Sequence, residues 1–164
     1  MKFQSELTEF LRGMLPVRRA RKVKDKEHMV KIAVMADIHS NYLALQACIE
    51  KAIDEGVQQF IFLGDYLGEM AYPRKTISIL KQLQERYSCV FIRGNKEEYW
   101  ITHRKNAYEI WKDGKTTTGI LKYVYDQLND DDIDMFETMP IEMTLKYDGL
   151  PRFTICHGSP FKVN

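Results

Sequence analysis

The sequence predicts an α/β fold, and three observations support that fold class. Four short apolar runs are rich in β-branched and aromatic residues and apolar on both faces, as strands buried between helical layers are. Stretches with apolar residues three and four positions apart, typical of amphipathic helices, lie between the first three runs. About 30 residues separate Asp37 from Asp65 and Asp65 from Asn95, which is the length of a βαβ unit with a right-handed crossover.

Each predicted strand ends in polar or glycine residues, which strands disfavour. Because the carboxyl ends of parallel strands open on one edge, we expect the residues that follow all four strands to lie at the same edge of one sheet. The strands and the segments after them are 31–36 with Asp37-Ile-His-Ser-Asn41, 60–63 with Gly64-Asp-Tyr-Leu-Gly68, 89–92 with Arg93-Gly-Asn-Lys-Glu97, and 153–156 with His157-Gly-Ser-Pro160.

The two crossovers are predicted to be helices. Ser40 or Asn41 can cap the first helix, and Gly56 is placed to end it. The second helix has Pro73 in its first turn, where the missing N–H is harmless. The apolar stripes consist of Leu45, Cys48, Ile49, Ala52 and Ile53 in the first helix, and of Ile77, Leu80, Leu83 and Tyr87 in the second.

The interval from Asn95 to His157 is about twice as long as a βαβ unit. Its pattern predicts helices over 97–111 and 117–128, then a short helix that the acidic run 130–132 begins and that ends near Pro140. Residues 141–147 alternate apolar and polar side chains, and Asp148-Gly149 makes a turn into 152–156, which predicts a hairpin. We predict that residues of about 97–138 form a helical cap insertion.

Residues 1–30 differ from the rest and contain a basic run at 17–24. Such a run could tether the chain to an acidic surface, a lipid or RNA, or it could belong to a mobile extension. Charge runs are usually solvated, which favours the extension. We therefore predict a basic N-terminal extension over 1–30 and the main domain over 31–164.

The composition excludes several classes of protein. The formal net charge is +1, so no overall field indicates a nucleic-acid partner. No uninterrupted apolar run approaches the roughly 20 residues that a membrane span needs, so no membrane partner is expected. The three cysteines are unclustered, which indicates reduced thiols and a cytoplasmic location.

Five side chains at the strand ends are oxygen or imidazole donors, namely Asp37, His39, Asp65, Asn95 and His157. Such a set suits manganese, iron, zinc or magnesium, and it requires no thiolate. At a strand end, residues two apart point the same way, so Asp37 and His39 would face one site. Any one of these short motifs could be a turn or a capped strand end, but all of them in this order indicate a metal site.

The chain resembles the calcineurin-like metallophosphoesterases, and in particular their small bacterial, phosphodiesterase-like members, in four successive signatures: Asp37-x-His39, Gly64-Asp65-x-x-Gly68, Gly94-Asn95 and His157-Gly158. The resemblance implies a fold of central mixed sheets flanked by helices in four layers. It also implies two divalent ions, with manganese favoured. One ion would be held by Asp37, His39 and Asp65. The other would be held by Asp65, Asn95 and His157, with Asn95, His157 and Lys96 acting in catalysis on a phosphate ester.

Two positions depart from the family pattern. Members often carry histidine after the motif asparagine, where this chain has Lys96. Lys96, Asn95 and Arg93 could bind phosphate, but a lysine is a poor general acid at neutral pH. The last family motif, Gly-His-x-His, does not occur in residues 158–164. We therefore expect a C-terminally truncated domain that lacks its last strands and whose open sheet edge favours a homo-oligomer.

These departures leave more than one function open. The first is metal-dependent hydrolysis of a phosphodiester, a nucleotide or a phosphoprotein by a water that two metals activate. The alternative is a catalytically silent or impaired member that acts as a binding or scaffold module. A third possibility is a nucleic-acid adaptor that binds RNA through the basic run 17–24. It would require RNA binding that weakens as the salt concentration rises.

Overall fold

A parallel sheet lies at the centre of the fold. The structure is a computed structural model, and it describes residues 30–106 and 116–159. Strands β1 (Ile32–Met35), β2 (Gln59–Phe62) and β3 (Ser88–Phe91) pair in parallel in the order β1-β2-β3. The central strand buries Phe60, Ile61 and Phe62 almost completely. Burial on both faces is expected for a parallel strand that helices flank, so the predicted α/β class is confirmed.

The crossover helices begin and end close to the predicted positions. Helix α1 (Tyr42–Asp54) starts after Asn41, whose side chain accepts a hydrogen bond from the Ala44 N–H at 3.1 Å. Gly56 follows this helix with a φ of 78°. Helix α2 (Pro73–Gln84) carries its proline in the first turn. The predicted stripes bury Leu45, Ile49, Ile77, Leu80 and Leu83, whereas Cys48, which the first stripe included, is exposed.

Three further helices lead from β3 to the last two strands. They are α3 (Asn95–Asn106), α4 (Thr116–Tyr125) and α5 (Asp130–Thr138). Residues 107–115 are outside the described part of the chain, and the predicted end of the first of these helices falls there. Helix α5 begins with a capping box, in which Asn129 and Asp132 each accept a hydrogen bond from the other's backbone N–H. The assignment of this region as a cap insertion remains a prediction.

The predicted hairpin is present, but it does not belong to the parallel sheet. Strands β4 (Glu142–Leu145) and β5 (Phe153–Cys156) pair antiparallel in a separate two-stranded sheet. The expectation that all four strand ends lie on one sheet is therefore wrong for the last strand. The hairpin contacts the parallel sheet through a side-chain hydrogen bond instead. The Tyr147 hydroxyl donates to the Gln59 side-chain oxygen at 2.6 Å.

Two sets of sequence predictions fall outside the described residues. They concern residues 1–29, with the basic run 17–24, and residues 160–164. From Lys31 on, the described residues form one compact unit. None of the helices in the described ranges is long and apolar enough to cross a bilayer.

Asp132 joins α5 to α2. Its side chain is fully buried and lies 2.6 Å from Lys81 Nζ, and Arg74 also contacts it. Burial by itself would raise the pKa of Asp132. The hydrogen bond from Lys81, the Asn129 backbone and the charge of Arg74 outweigh burial, so the pKa is lowered. The carboxylate therefore stabilises the contact between the two helices.

We expect Asp132→Asn to lower the free energy of unfolding by about 2 kcal/mol at neutral pH. This is less than the roughly 3–5 kcal/mol for breaking a fully buried pair, because Arg74 and Lys81 are partly solvated. Because the folded pKa is lowered, the stabilisation is complete above the ordinary aspartate pKa of about 3.9 and is lost as the pH falls through the folded value. Urea unfolding at pH about 7 and about 3 measures this difference.

The matched control is Asp131→Asn, which changes an exposed residue of the same first helical turn. It should alter the free energy of unfolding by at most about 0.5 kcal/mol. Equal losses in the two variants would show that Asp132 acts only through the charge of the helix terminus.

Candidate metal centre

The loops that follow β1 and β2 bind each other through their backbones. Asp37 N–H donates to Gly64 O at 3.2 Å, His39 N–H to Asp65 O at 3.0 Å, and Ser40 N–H to Tyr66 O at 2.9 Å. In these loops Asp37, His39, Ser40 and Asp65 have positive φ values of 54°, 48°, 65° and 55°. Non-glycine residues rarely adopt this left-handed conformation, and they keep it only where surrounding structure enforces it.

This backbone geometry corrects the reason given for the pairing of Asp37 with His39. The sequence argument relied on the two-residue repeat of an extended strand. Strand β1 ends at Met35, and both residues lie beyond it in the left-handed conformation. The turn and its hydrogen bonds to the second loop, rather than strand pleating, bring the two side chains to the same place.

Asp37, His39 and Asp65 form a group that could hold a metal ion. One ligand atom from each lies within 4.8 Å of the others. His39 Nε2 is 3.6 Å from Asp37 Oδ1 and 3.8 Å from Asp65 Oδ2. The Asp37 side chain is solvent-exposed, whereas Asp65 is buried. The group is thus open on one side, and an ion could reach it from solvent.

A second group of donors lies at the other oxygen of Asp65. His157 Nε2 is 3.5 Å from Asp65 Oδ1 and 3.2 Å from Asn95 Oδ1. His157 follows β5, and its Nδ1 lies 2.7 Å from the carbonyl oxygen of Leu63 at the end of β2. This hydrogen bond brings the hairpin to the edge of the parallel sheet. The two carboxylate oxygens of Asp65 therefore face two different groups.

The contact between His157 and Asn95 fits a bound cation. A carbonyl oxygen can only accept, so the Leu63 contact requires that His157 Nδ1 carry the proton. In the neutral ring His157 Nε2 is then a lone pair, and it faces the amide oxygen of Asn95 and the carboxylate of Asp65. These three acceptors converge on a point where a proton or a metal cation would offset their repulsion. Oxygen and imidazole donors suit hard or borderline divalent ions.

Two glycines let the second and third loops approach closely. A Cβ built on Gly64 would lie 2.5 Å from the backbone nitrogen of Gly94. A Cβ built on Gly94 would overlap Asp65 Oδ1 and lie 2.6 Å from Asp65 N. Such contacts are sterically forbidden for any larger residue. The Gly-Asp and Gly-Asn pairs of the sequence are thus needed to place Asp65 beside Asn95.

The side chain of Glu97 links the same two loops, which follow β2 and β3. Its buried carboxylate accepts hydrogen bonds from the N–H groups of Asp65 at 2.9 Å, Tyr66 at 3.0 Å and Gly94 at 2.9 Å. Burial raises the pKa of Glu97 to about 7; the charge of Asp65 acts in the same direction, and the three N–H donors oppose the rise. Sequence reasoning does not find this role, because acidic residues are common in any first helical turn.

The basic residues expected to bind phosphate have partners in the structure. Lys96 Nζ lies 2.7 Å from Glu69 Oε1, and its backbone N–H donates to Asp65 Oδ1 at 3.0 Å. Lys96 therefore lies next to the candidate metal ligand Asp65. Arg93 Nε lies 2.7 Å from Glu98 Oε1, so Arg93 is engaged on α3. Glu69, which the sequence analysis did not single out, also approaches His39.

The sequence and structure match known phosphoesterases. The family model for calcineurin-like phosphoesterase matches residues 30–163. A serine/threonine-protein phosphatase PP2A-like PPG1 from Candida albicans is 29% identical over 130 residues, which cover 77% of this chain. The uncharacterized protein MJ0912 from Methanocaldococcus jannaschii is 35% identical over 71 residues, which cover 42% of this chain.

Two solved structures share the fold. The hypothetical protein PH1004 from Pyrococcus horikoshii OT3 aligns with a TM-score of 0.67 and 25% identity over 82% of this chain. A metallophosphoesterase from Sphaerobacter thermophilus aligns with a TM-score of 0.61 and 23% identity over 83%. The chain spans 28% of the length of each of the two curated relatives, and 57% and 50% of the two solved chains.

The close approach of the loops generates a first prediction for this centre. Gly94→Ala should move Asp65 and weaken Mn²⁺ binding at least 10-fold, with a loss of about 1–3 kcal/mol in the free energy of unfolding from overpacking. Titration calorimetry and urea unfolding measure the two effects. Gly119→Ala is the control, since a Cβ there meets nothing within 4 Å. It should leave binding unchanged and stabilise α4 by up to about 1 kcal/mol.

The Glu97 contacts generate a second prediction. In Glu97→Gln, one oxygen and one NH₂ group replace two acceptors, so at least one of three buried N–H donors loses its partner. We expect a loss of about 2 kcal/mol in the free energy of unfolding at pH about 8, where the wild-type carboxyl is ionised. Glu98→Gln changes the neighbouring, partly exposed residue and should cost less than about 1 kcal/mol. Equal effects of the two changes would contradict a special role for Glu97.

Proposed function

The chain belongs to the calcineurin-like phosphoesterase family, and on that premise we propose that it carries the metal-binding part of a centre that hydrolyses phosphate esters by a two-metal mechanism. The observation that carries the proposal is the position of Asp65. Its Oδ2 faces His39 and its Oδ1 faces His157. A carboxylate between two groups of donors could offer one oxygen to each of two divalent ions.

We assign Asp37, His39 and Asp65 to one divalent ion, and Asp65, Asn95 and His157 to the other. The chain's donors would suit manganese, which we favour, as well as iron, zinc or magnesium. When bound, two divalent ions supply charge for the phosphoryl oxygens and lower the pKa of a water that attacks phosphorus. The family match supports this chemistry in general, and the phosphatase named among the relatives supports an ester of phosphate as substrate.

The chain's own polar residues have separate tasks in this proposal. Asn95 directs its amide oxygen into the second donor group, which leaves its NH₂ group free to donate to a phosphoryl oxygen. Lys96 places a positive charge next to Asp65 and Glu69, where it can attract the phosphate. Arg93 lies on the other side of Asn95 in the chain and would reach a substrate only by leaving Glu98. We therefore rank Lys96 above Arg93 as a phosphate ligand.

The substrate is proposed at the level of its class, which is a phosphodiester, a nucleotide or a phosphoprotein. Lys96 bears on this choice because it occupies the position where many members have an imidazole that protonates the leaving group. An ammonium group at that point favours phosphate binding over proton transfer. Esters whose leaving groups need no protonation should therefore react best. A cytoplasmic location is our further proposal and rests on the three unclustered cysteines.

A second function follows from the donor count. No Gly-His-x-His segment occurs among the 164 residues, so the assigned ions would have only one imidazole each from this sequence. A centre that binds metal through these donors but does not turn over a substrate would be a silent member that serves as a binding or scaffold module. This alternative shares the fold and predicts metal binding without turnover.

Turnover of p-nitrophenyl phosphate and of bis(p-nitrophenyl) phosphate with Mn²⁺ separates the two functions. We expect hydrolysis of at least one ester, and a fall of at least about 100-fold in kcat/KM in Asp65→Asn, because the bridging charge is lost. The control is Asp54→Asn, an exposed aspartate at the end of α1, which should keep full activity. Binding of Mn²⁺ with no hydrolysis under Mn²⁺, Fe²⁺, Zn²⁺ or Mg²⁺ would favour the scaffold.

A further inference from the structure

The aromatic side chains of α3 and α4 divide into packed and exposed ones. Trp100 is fully buried, and the ring of Tyr125 meets the ring of His103 edge to face, with 4.5 Å between the centroids. Tyr99 and Tyr123 are instead 44% and 46% exposed. Single exposed rings are normal on a soluble protein, whereas a group of them beside a site can bind a ligand.

Tyr123 reaches the segment 69–72, which follows the Gly-Asp-x-x-Gly signature. Its hydroxyl donates a hydrogen bond to the carbonyl oxygen of Ala71 at 2.8 Å. The next residue of the segment is Tyr72, which is 49% exposed, and Met70 on the other side of Ala71 is exposed as well. Helix α4 and the segment therefore meet at Ala71, and both present exposed rings there.

Tyr99 is connected with the same segment through Lys96. Residues three positions apart are neighbours on a helix, and Lys96 Nζ lies 6.0 Å from the centroid of the Tyr99 ring. The same nitrogen lies 2.7 Å from Glu69 Oε1, so the two side chains offset each other's charge. Asn95, which we assign to the second metal ion, is one helical turn from Tyr99. The Tyr99 ring thus lies close to the residues that would hold a phosphate.

The segment 69–72 borders the candidate metal centre. The Met70 N–H donates to His39 O at 3.1 Å, and the Gly68 N–H donates to Ser40 Oγ at 3.1 Å. These two bonds attach the beginning of the segment to the loop that follows β1. The exposed rings therefore begin where the metal-ligand candidates end.

We propose that Tyr72, Tyr99 and Tyr123 form an aromatic surface that binds the base of a nucleotide whose phosphate lies at the candidate metal centre. The inference rests on the proposed function, because it needs a phosphate at that centre, and it selects the nucleotide among the proposed substrate classes. A purine or pyrimidine ring stacks on tyrosine whatever its hydrogen-bonding pattern. Tyr99 should contribute most, since it is the ring nearest in sequence to Asn95 and Lys96.

The charges beside the rings favour an anionic ring compound. Lys75 Nζ lies 5.0 Å from the centroid of the Tyr72 ring and 4.4 Å from that of Tyr42. Lys96 Nζ lies beside the ring of Tyr99 in a similar way. Two ammonium groups therefore flank the aromatic surface and would attract a ligand that carries phosphate. A nucleotide joins a flat ring to a phosphate in one small molecule, which fits rings and cations placed this close together.

A phosphopeptide fits the aromatic surface less well. Peptides that bind in extended form pair their backbone with N–H and C=O groups of the receptor. In the segment 69–72, the Met70 N–H is already bonded to His39 O, and the Ala71 carbonyl accepts from the Tyr123 hydroxyl. The rings stay exposed while these backbone groups are engaged. This combination suits a ligand that binds by stacking.

Titration calorimetry in the presence of Mn²⁺ can isolate the contribution of the base, because AMP and ribose 5-phosphate share the sugar and the phosphate. Loss of an aromatic ring from a stack weakens base binding by about 5- to 150-fold. We expect wild type to bind AMP at least about 5-fold more tightly than ribose 5-phosphate. Tyr99→Ala should remove this preference without changing the Kd of ribose 5-phosphate. Tyr99→Phe keeps the ring and should keep the preference.

Leu150→Ala is the matched control, because it removes a side chain that is 57% exposed in the hairpin, between β4 and β5. It should leave both Kd values unchanged. A loss of preference confined to Tyr72→Ala or Tyr123→Ala would support the aromatic surface and assign the stacking to that ring.

Three results would overturn the proposal. They are absent or equal binding of AMP relative to ribose 5-phosphate in wild type, a preference for AMP that survives all three alanine variants, and tighter binding of a phosphoserine peptide that the same variants weaken. The experiment does not measure hydrolysis. A chain that binds AMP through these rings but turns over no aryl ester would therefore contradict the proposed enzyme without contradicting this inference.

Discussion

The carboxylate of Glu97 is the interaction on which the candidate metal centre depends. It accepts hydrogen bonds from the N–H groups of Asp65, Tyr66 and Gly94, which lie on the two loops that follow the paired strands β2 and β3. Those loops carry Asp65 and lead into Asn95, so Glu97 helps to fix the position of Asp65 relative to Asn95. Ionising a fully buried carboxyl is unfavourable, and its pKa is accordingly raised to about 7. The contact persists because three buried N–H groups would otherwise lack partners.

Several carboxylates lie around the contacts of Glu97. Asp37, Asp65 and Glu69 all lie near His39, and Glu97 lies beneath Asp65. Among the described residues, Lys96 is the cation that directly contacts this set, through Glu69 and through its N–H to Asp65. Like charges at such distances repel, and the left-handed loop residues add backbone strain. Both terms oppose folding. A cation would relieve the charge repulsion, which would couple metal binding to the stability of the loops.

The sequence was sufficient to predict the elements whose patterns are local. The stripe of Leu45 and Ile49 located α1, and the run at 141–147 located the hairpin, because periodicity depends only on which residues a single element buries. The separate hairpin sheet could not be predicted, since strand partners are chosen by packing between distant segments. The hydrogen bonds of Glu97 could not be predicted for a related reason. They reach loops that only the folded chain brings near, and an acidic residue in a first helical turn is otherwise common.

The two histidines indicate how metal binding and catalysis can be separated in this fold. His157 is oriented through Nδ1 by the carbonyl of Leu63, and His39 Nδ1 lies 2.8 Å from a carboxylate oxygen of Glu69 on the second loop. Both contacts are made within the scaffold, and neither requires a substrate. The geometry that would hold ions is therefore established by the strand ends and their loops. Under the proposed function, turnover would depend in addition on Lys96. A family member could lose that second contribution and still bind metal.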